Sequence, residues 1–254
     1  MATVEPLPGD PAAVADVGSE RLLVVADVHC GIEAALRYER GVELESNAGV
    51  RRERLLSLLD RSRADRLVVL GDLGHRIGDP KGDERDELAT LVAAVTDRVP
   101  LTLVRGNHDG GVAEAFGERI DVTPGDGTRI GDVGFVHGHT WPSEAVLSAG
   151  TICIGHEHPA VKLTDSVGGS RVEQAWLRGS LDRDVFAEGL GVDPADLDWH
   201  DPELVVFPAF NDRSGGTWVN VEGQDFLAPF LPDGLVDGEA YLLDGTRLGD
   251  YRRV

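Results

Sequence analysis

Three short apolar runs, Arg21–Ala26, Arg66–Leu70 and Leu101–Val104, punctuate the first half of the chain, and stretches of helical periodicity separate them. Runs this short, with no polar alternation, suit strands covered on both faces. Ile32–Arg40 reads as a helix and Gly41–Gly49 as a loop. Val50–Arg63 reads as a second helix, with Leu55, Leu56, Leu58 and Leu59 on one face and arginines on the other. Glu84–Arg98 places Leu88, Leu91, Val92 and Val95 at i, i+3, i+4 and i+7, the spacing of a third. Strand and helix in alternation imply a mainly parallel sheet flanked by helices, and open sheets of this kind bind ligands at the carboxyl ends of their strands.

The second half changes character. Ile120–Val122, Thr128–Ile130, Val133–Val136, Thr151–Ile154, Ala160–Thr164 and Arg171–Leu177 are short β-type runs separated by Gly and Asp, with Leu204–Phe207 and Ala240–Leu243 further on. Only Ser143–Ser148 reads as helix among them, and Asp182–Asp201 reads as a polar loop or insertion. Residues 1–20 read as a flexible lead-in that includes one edge strand at Ala13–Val17. The expected fold is α/β, a two-sheet β-sandwich flanked by helices, forming one domain over residues 21–254.

Composition narrows the setting. Hydrophobic residues make up 41% of 254, enough for one large domain with a substantial core. No segment approaches the ~18 consecutive apolar residues of a membrane span, so no membrane is expected. The N-terminus has no basic region followed by an apolar run, which points to a cytoplasmic protein. Cys30 and Cys153 belong to no Cys-x-x-Cys pair and read as buried thiols in a reducing compartment. Net charge is −21, only Lys81 and Lys162 are lysines, and 27 aspartates outnumber 18 glutamates. Such a surface fits a salt-rich cytosol, as in a halophilic archaeon, where molar salt screens charges within ~3 Å and limits self-repulsion. The other reading is an acidic protein that avoids polyanions.

Five polar motifs follow the expected strands: Asp27-Val28-His29, Gly71-Asp72, Gly106-Asn107-His108-Asp109, His137-Gly138-His139 and Gly155-His156-Glu157-His158. Each alone is ordinary. Asp-x-His is a common loop pair, Gly-Asp a common helix cap, and Gly-His-x-His fits two surface histidines. Together they hold six of the eight histidines, and no packing requirement gathers those at strand ends. Two carboxylates, one amide and several imidazoles are a donor set for a pair of divalent ions. The mixture suits Mn²⁺, Fe²⁺ or Zn²⁺, whereas an all-oxygen cage would suit Mg²⁺ or Ca²⁺.

The ordered motifs resemble the signature of the calcineurin-like metallophosphoesterase superfamily. Gly71-Asp72-Leu73-Gly74-His75, Gly155-His156-Glu157-His158-Pro159 and the tail Phe207-Pro208-Ala209-Phe210-Asn211 with Gly215-Gly216 also resemble its DNA-ligase-associated, or ICC-like, branch. The resemblance implies a metallophosphoesterase domain holding two metals, Mn²⁺ first. Asp27, His29 and His158 would bind one ion and Asn107, His137 and His156 the other, with Asp72 bridging them. It implies hydrolysis by a metal-bridging hydroxide, with His108 as proton donor to the leaving alkoxide. It further implies phosphodiester substrates, including nucleic acid or nucleotides, a link to DNA repair, and ligase or helicase partners.

Several residues stay open. His139 can touch phosphate or lie behind the ligands, can bind metal, or can do neither. His75 is a rim candidate. Arg105 is either a fork-shaped phosphate donor or an ion-paired surface residue. Asp109 reads as a loop or outer hydrogen-bonding residue, His200 as a surface residue, and the four tryptophans as packing. Arg51, Arg52, Arg54, Arg61, Arg63 and Arg66 form the densest basic stretch; with Glu53, Asp60 and Asp65 interleaved, it reads as a salt-bridged face rather than a nucleic-acid track. The competing functions are a phosphomonoesterase or cyclic-nucleotide phosphodiesterase on the same metals, and a non-catalytic binding module.

Overall fold

The computed structural model describes residues 3–42, 44–165 and 167–254. The first sheet runs β1 (Thr3–Pro6), β2 (Ala12–Asp16), β3 (Arg21–Val25), β4 (Arg66–Val69), β5 (Leu101–Val104) and β6 (Asp121–Thr123), in that order across the sheet. β3 to β6 pair in parallel, β1 and β2 antiparallel. Helices α1 (Ile32–Arg40), α2 (Ala48–Ser62), α3 (Asp83–Thr96) and α4 (Gly110–Phe116) return the chain between parallel strands.

The second sheet begins with β7 (Thr128–Ile130), β8 (Val133–Val136), a short α5 (Glu144–Leu147), β9 (Thr151–Ile154), β10 (Ala160–Thr164) and β11 (Ser170–Leu181). It continues through α6 (Arg183–Leu190), β12 (Glu203–Val206), β13 (Leu235–Leu242) and β14 (Arg247–Asp250). Its spatial order is β14-β13-β11-β12-β9-β8-β7, with β10 paired to β11. Within it β8, β9 and β12 are parallel neighbours. The architecture is the expected two-sheet α/β sandwich.

The period-2 alternation of strands sorts the core into layers. On β3, Leu23 and Val25 face α2 and α3 through Leu55, Leu58, Leu88 and Val92, while Leu22 and Val24 face the other sheet. Between the sheets they meet Phe135, Cys153, Trp176, Val205 and Phe207. A third cluster covers the outer face of the second sheet with Val146, Phe186 and Phe230. This accounts for the unbroken apolar runs in β3, β4 and β5, which have no solvent face. Trp176 sits at the centre, 1% exposed, and its truncation to Ala would cost about 3–5 kcal/mol.

Three expectations need correction. Residues 3–16 are not a flexible lead-in. β2 is an inner strand between β1 and β3, and Ala12, Ala13, Val14 and Ala15 are buried because small side chains let the sheet close against both neighbouring layers. Asp182–Asp201 is not a plain loop. Asp182 caps α6 by accepting from the Asp184 N–H at 2.9 Å, Phe186 and Ala187 are buried beneath it, and Gly191 ends it in the left-handed region. Helix α4, entered through Gly110 and Gly111, carries too few apolar residues to show periodicity, and the sequence reading missed it.

Candidate active site

The first three motifs lie just beyond the carboxyl ends of β3, β4 and β5, and the last two just beyond β8 and β9. The parallel ladders of both sheets therefore end at one place. The chain there is strained. Asp27, His29, Asp72, His156 and His158 have φ between 45° and 68°, a region that L residues seldom adopt, and they are five of the seven such non-glycine residues among those described. Each costs roughly 1 kcal/mol or more, so neighbouring bonds must hold it. The Asp27 N–H donates to Gly71 O at 3.2 Å, the His29 N–H to Asp72 O at 2.9 Å, and the His156 N–H to Asp27 Oδ2 at 3.0 Å. Asn211 Nδ2 donates to Val28 O at 3.0 Å. Close approach also demands glycine: a Cβ on Gly71 would lie 2.3 Å from His137 Nδ1, and one on Gly106 2.3 Å from Asp72 Oδ1.

Two carboxylate-centred groups of donors result, beside a third made of imidazoles alone, His29, His75 and His108. Asp27, His29 and His158 converge in one, with Asp27 Oδ1 3.2 Å from His158 Nε2 and the two Nε2 atoms 3.4 Å apart. Asp72, His137 and His156 converge in the other. His137 Nε2 lies 3.5 Å from Asp72 Oδ1 and 3.1 Å from Asn107 Oδ1. The second oxygen of Asp72 faces the first group, 3.9 Å from His29 Nε2. Asp72 thus stands between the two groups. His108 approaches the same oxygen, its Nε2 at 3.8 Å.

Carbonyl groups fix the ring tautomers. His137 Nδ1 donates to Leu70 O at 2.8 Å and His158 Nδ1 to Gly215 O at 2.6 Å; His108 Nδ1 donates to His75 O. Each Nε2 is thereby left to face the centre, the usual arrangement behind a metal-binding imidazole. Burial pushes His29 and His156 down to about 3, with nearby imidazoles adding to it and the Asp27 charge opposing it, so both rings are neutral with lone pairs available. Burial opposes charge on His158 too, but Asp27 lifts it to about 9. Burial would raise Asp27, yet the facing histidines, His158 foremost, hold it at about 2. Asp72 is raised by burial and by the Asp27 charge.

These features fit divalent cations. Asp27 Oδ1 is buried and accepts no hydrogen bond, which is costly unless a cation meets it. Two buried carboxylates that repel one another, ringed by imidazoles of which His29 and His156 are neutral, and by one amide oxygen, form a donor set that positive charge would relieve.

Two buried carboxylates stand behind the ligand groups. Asp109 accepts from the N–H groups of Asp72 (2.7 Å), Gly106 (2.8 Å) and Leu73 (2.9 Å), tying the loop after β4 to the loop after β5. Burial, then Asp72, pushes it up to about 6. Glu157 accepts from the N–H groups of Ala228 (2.6 Å) and Leu227 (2.9 Å) and from Thr217 Oγ1 (2.9 Å). The sequence reading assigned no role to Glu157 or Asn211. The signal available was their place, one between two motif histidines and the other closing the Phe-Pro-Ala-Phe-Asn stretch.

Of the doubtful residues, His75 joins the site, its Nδ1 3.4 Å from His29 Nδ1 and its ring stacked on His108. His139 lies behind His137, ring centroids 5.3 Å apart; its Nδ1 is buried without a partner, and burial, then His137 and Arg105, lowers it to about 4. Arg105 is exposed and makes no ion pair among the described residues. His200 pairs with Asp198 at 3.2 Å on the surface. Cys30 is buried, its thiol is pushed well above its usual range, and it belongs to none of the donor groups among the described residues. The arginine stretch is ion-paired, but with distant residues. Arg51 meets Glu33 and Glu87, Arg54 and Arg61 meet Asp10, and Arg66 meets Glu20 and Asp121. Trp176, Trp141 and Trp199 pack against Phe207, Phe186 and Phe230, whereas Trp218 is part-exposed beside Lys162.

A calcineurin-like phosphoesterase family model matches residues 20–223, and all five motifs lie within that span. The chain belongs to the calcineurin-like phosphoesterase family. It is accordingly a metal-dependent hydrolase of phosphate esters. Among solved structures, a nuclease named MPE from Pseudomonas putida shares the fold at TM-score 0.57 and 17% identity, covering 97% of this chain and 100% of its own. A phosphoesterase named Yfce from E. coli matches at 21% identity over 57% of this chain and 74% of its own, with TM-score 0.35. No curated protein sequence matches the chain significantly. No helix among the described residues is long and apolar enough to cross a membrane.

Proposed function

We propose that the chain is a two-metal phosphodiesterase, with nucleic acid or nucleotides as its substrate class. The observation that carries this reading is the pair of donor groups meeting at Asp72 beside the orphaned Asp27 Oδ1. Asp27, His29 and His158 hold one cation and Asn107, His137 and His156 the other, while Asp72 offers one oxygen to each. The mixed carboxylate, imidazole and amide set favours Mn²⁺, with Fe²⁺ or Zn²⁺ as alternatives. Bound there, the cations supply charge neutralisation and a water acidified toward neutral pH. The protein's own residues do the rest. His108 delivers a proton from Nε2 to the leaving oxygen while His75 O steadies its Nδ1. His139 and Arg105 meet the oxygens of the phosphate. Asp109 keeps the Asp72 and Asn107 loops in register.

Full occupation of the ligand and acid positions weighs against a non-catalytic module. A role near DNA repair, with ligase or helicase partners, remains part of this reading through the branch resemblance. The protein, purified in high salt with Mn²⁺, is offered a bis-aryl phosphodiester, an aryl monoester, a cyclic nucleotide and single-stranded DNA. Turnover of the diester and of DNA is expected. No turnover of any substrate with metal bound would overturn the reading, and turnover of the monoester alone would replace it with a phosphomonoesterase.

A further inference from the structure

A cavity of about 600 Å³ opens beside His108, on the side away from His137 and His156. His75 and His108 form its inner end, so it is continuous with the centre. Its volume far exceeds an ion or a methoxide and falls within the range of sites that hold a drug-sized molecule. Ala34 and Ala35 of α1 line one wall, and their short side chains let a flat group come close to the helix. Tyr38, one turn further along α1, and Ile77 on the facing loop stand at the mouth, 79% and 74% exposed. Exposed large apolar side chains on both sides of a cleft are costly in a free protein and useful as a platform.

The charges of the cavity are asymmetric. Its acidic residues are engaged. Asp83 pairs with Arg37 at 3.3 Å. Glu84 accepts from the N–H groups of His75 and Arg76, both at 2.8 Å, and pairs with the Arg76 guanidinium at 3.5 Å. Lys81, one of two lysines in a chain of net charge −21, makes no ion pair among the described residues. A cation left over at an aromatic-rimmed cleft suits a ligand with a π face and a second anionic group.

In-line displacement sends the departing group to the side of the acid that protonates it. We propose that this cavity receives the nucleoside that leaves with the alkoxide, with Tyr38 as its stacking platform and Lys81 meeting the next phosphate along the strand. The proposal rests on the phosphodiesterase reading and narrows its substrate to a strand that continues beyond the scissile bond. Tyr38, Ile77 and Lys81 are then specificity residues rather than catalytic ones.

The test uses the full-length, metal-loaded protein with thymidylyl-thymidine, a thymidine trinucleotide and methyl p-nitrophenyl phosphate. Alongside, a thymidine dinucleotide with an inert methylphosphonate link is titrated for binding. Tyr38→Ala is expected to lower the ratio of kcat/KM for the dinucleotide over the aryl ester about tenfold, mainly through KM, and to weaken inert-dinucleotide binding by a similar factor. Lys81→Ala is expected to lower the preference for trinucleotide over dinucleotide about fivefold. Circular dichroism checks that both variants stay folded, which exposed positions should allow. Ratios that stay within about twofold of the parent protein would overturn the subsite. If the parent protein hydrolyses no diester, the phosphodiesterase reading falls on its own. The inert titration still decides the cavity, since equal binding by the parent and by Tyr38→Ala refutes it.

Discussion

The two walls of the centre differ in chemistry and in how they are held. The wall built on the first sheet brings Asp27, His29, Asp72, Asn107 and His108: both carboxylates, the amide, one imidazole of the first donor group and the candidate acid. The wall built on the second sheet brings only imidazoles, from His137, His139, His156 and His158. Each wall leans on one buried carboxylate. Asp109 binds backbone within its own wall, between residues 72 and 106. Glu157 instead reaches forward to Thr217, Leu227 and Ala228, in the excursion between β12 and β13. The Asp72 and Asn107 loops of the first wall are therefore tied to each other locally, while its Asp27–His29 loop takes a bond from Asn211 and the second wall depends on chain that follows it by some distance. Both carboxylates reside on one side, and imidazoles with borrowed support on the other.

The comparison can be broken at its shared point. Asp72→Asn should lose occupancy at both metal positions and lower turnover by about 10³-fold while leaving the fold intact. Metal analysis of the purified variant decides this, and an unchanged metal content would refute the bridging role. His108→Ala should keep both metals and lose about 10²–10³-fold with alkoxide leaving groups, much less with p-nitrophenolate. An equal loss across leaving groups would remove His108 from the acid role. The two supporting carboxylates sharpen the contrast further. Asp109→Asn, which replaces an acceptor of four N–H bonds, should weaken metal affinity by about 10–100-fold and lower stability by roughly 1–3 kcal/mol. Chelator titration and chemical denaturation measure the two effects. Glu157→Gln should give the smallest change, about tenfold in metal affinity, together with faster proteolysis of the segment at residues 211–228. If Glu157→Gln proved as damaging as Asp72→Asn, the difference between the walls would disappear.

Much of the first wall was legible in the sequence. Its strands are covered on both faces, so Arg21–Ala26, Arg66–Leu70 and Leu101–Val104 carry apolar runs with little ambiguity, and their polar ends mark the candidate ligands. The second wall was legible at its motifs but less so in its frame. Alternating β runs there give no order, and β9 and β12 pair in parallel across more than 45 intervening residues. Helix α6 was hidden by aspartates that act as its cap. The strand at Ala13–Val17 reads as an edge strand, and its inner place as β2 was hidden because the Thr3–Pro6 strand that covers it carries too few apolar residues to stand out. The supporting residues Glu157 and Asn211 were invisible for another reason. Their backbone partners, Leu227 and Ala228 for one and Val28 for the other, lie far along the chain, and no local pattern announces such a bond. The basic stretch shows the same limit, since Glu53, Asp60 and Asp65 were the nearest acids but Glu33, Glu87 and Asp10 are the partners.

The hold of Asn211 and of residues 217–228 on the motif loops has a consequence for biosynthesis. A chain leaves the ribosome from its N-terminus, and domains or parts of them fold as they emerge. The ladder of β3 to β6 ends at residue 123, but the Asp27–His29 loop beside it gains its bond to Asn211 only after that residue has emerged. The loop carrying His156 and His158 must wait until Ala228 is outside the exit tunnel. For that interval the nascent protein lacks support on both sides of the centre, and a chain truncated before Asn211 would be left without a finished centre.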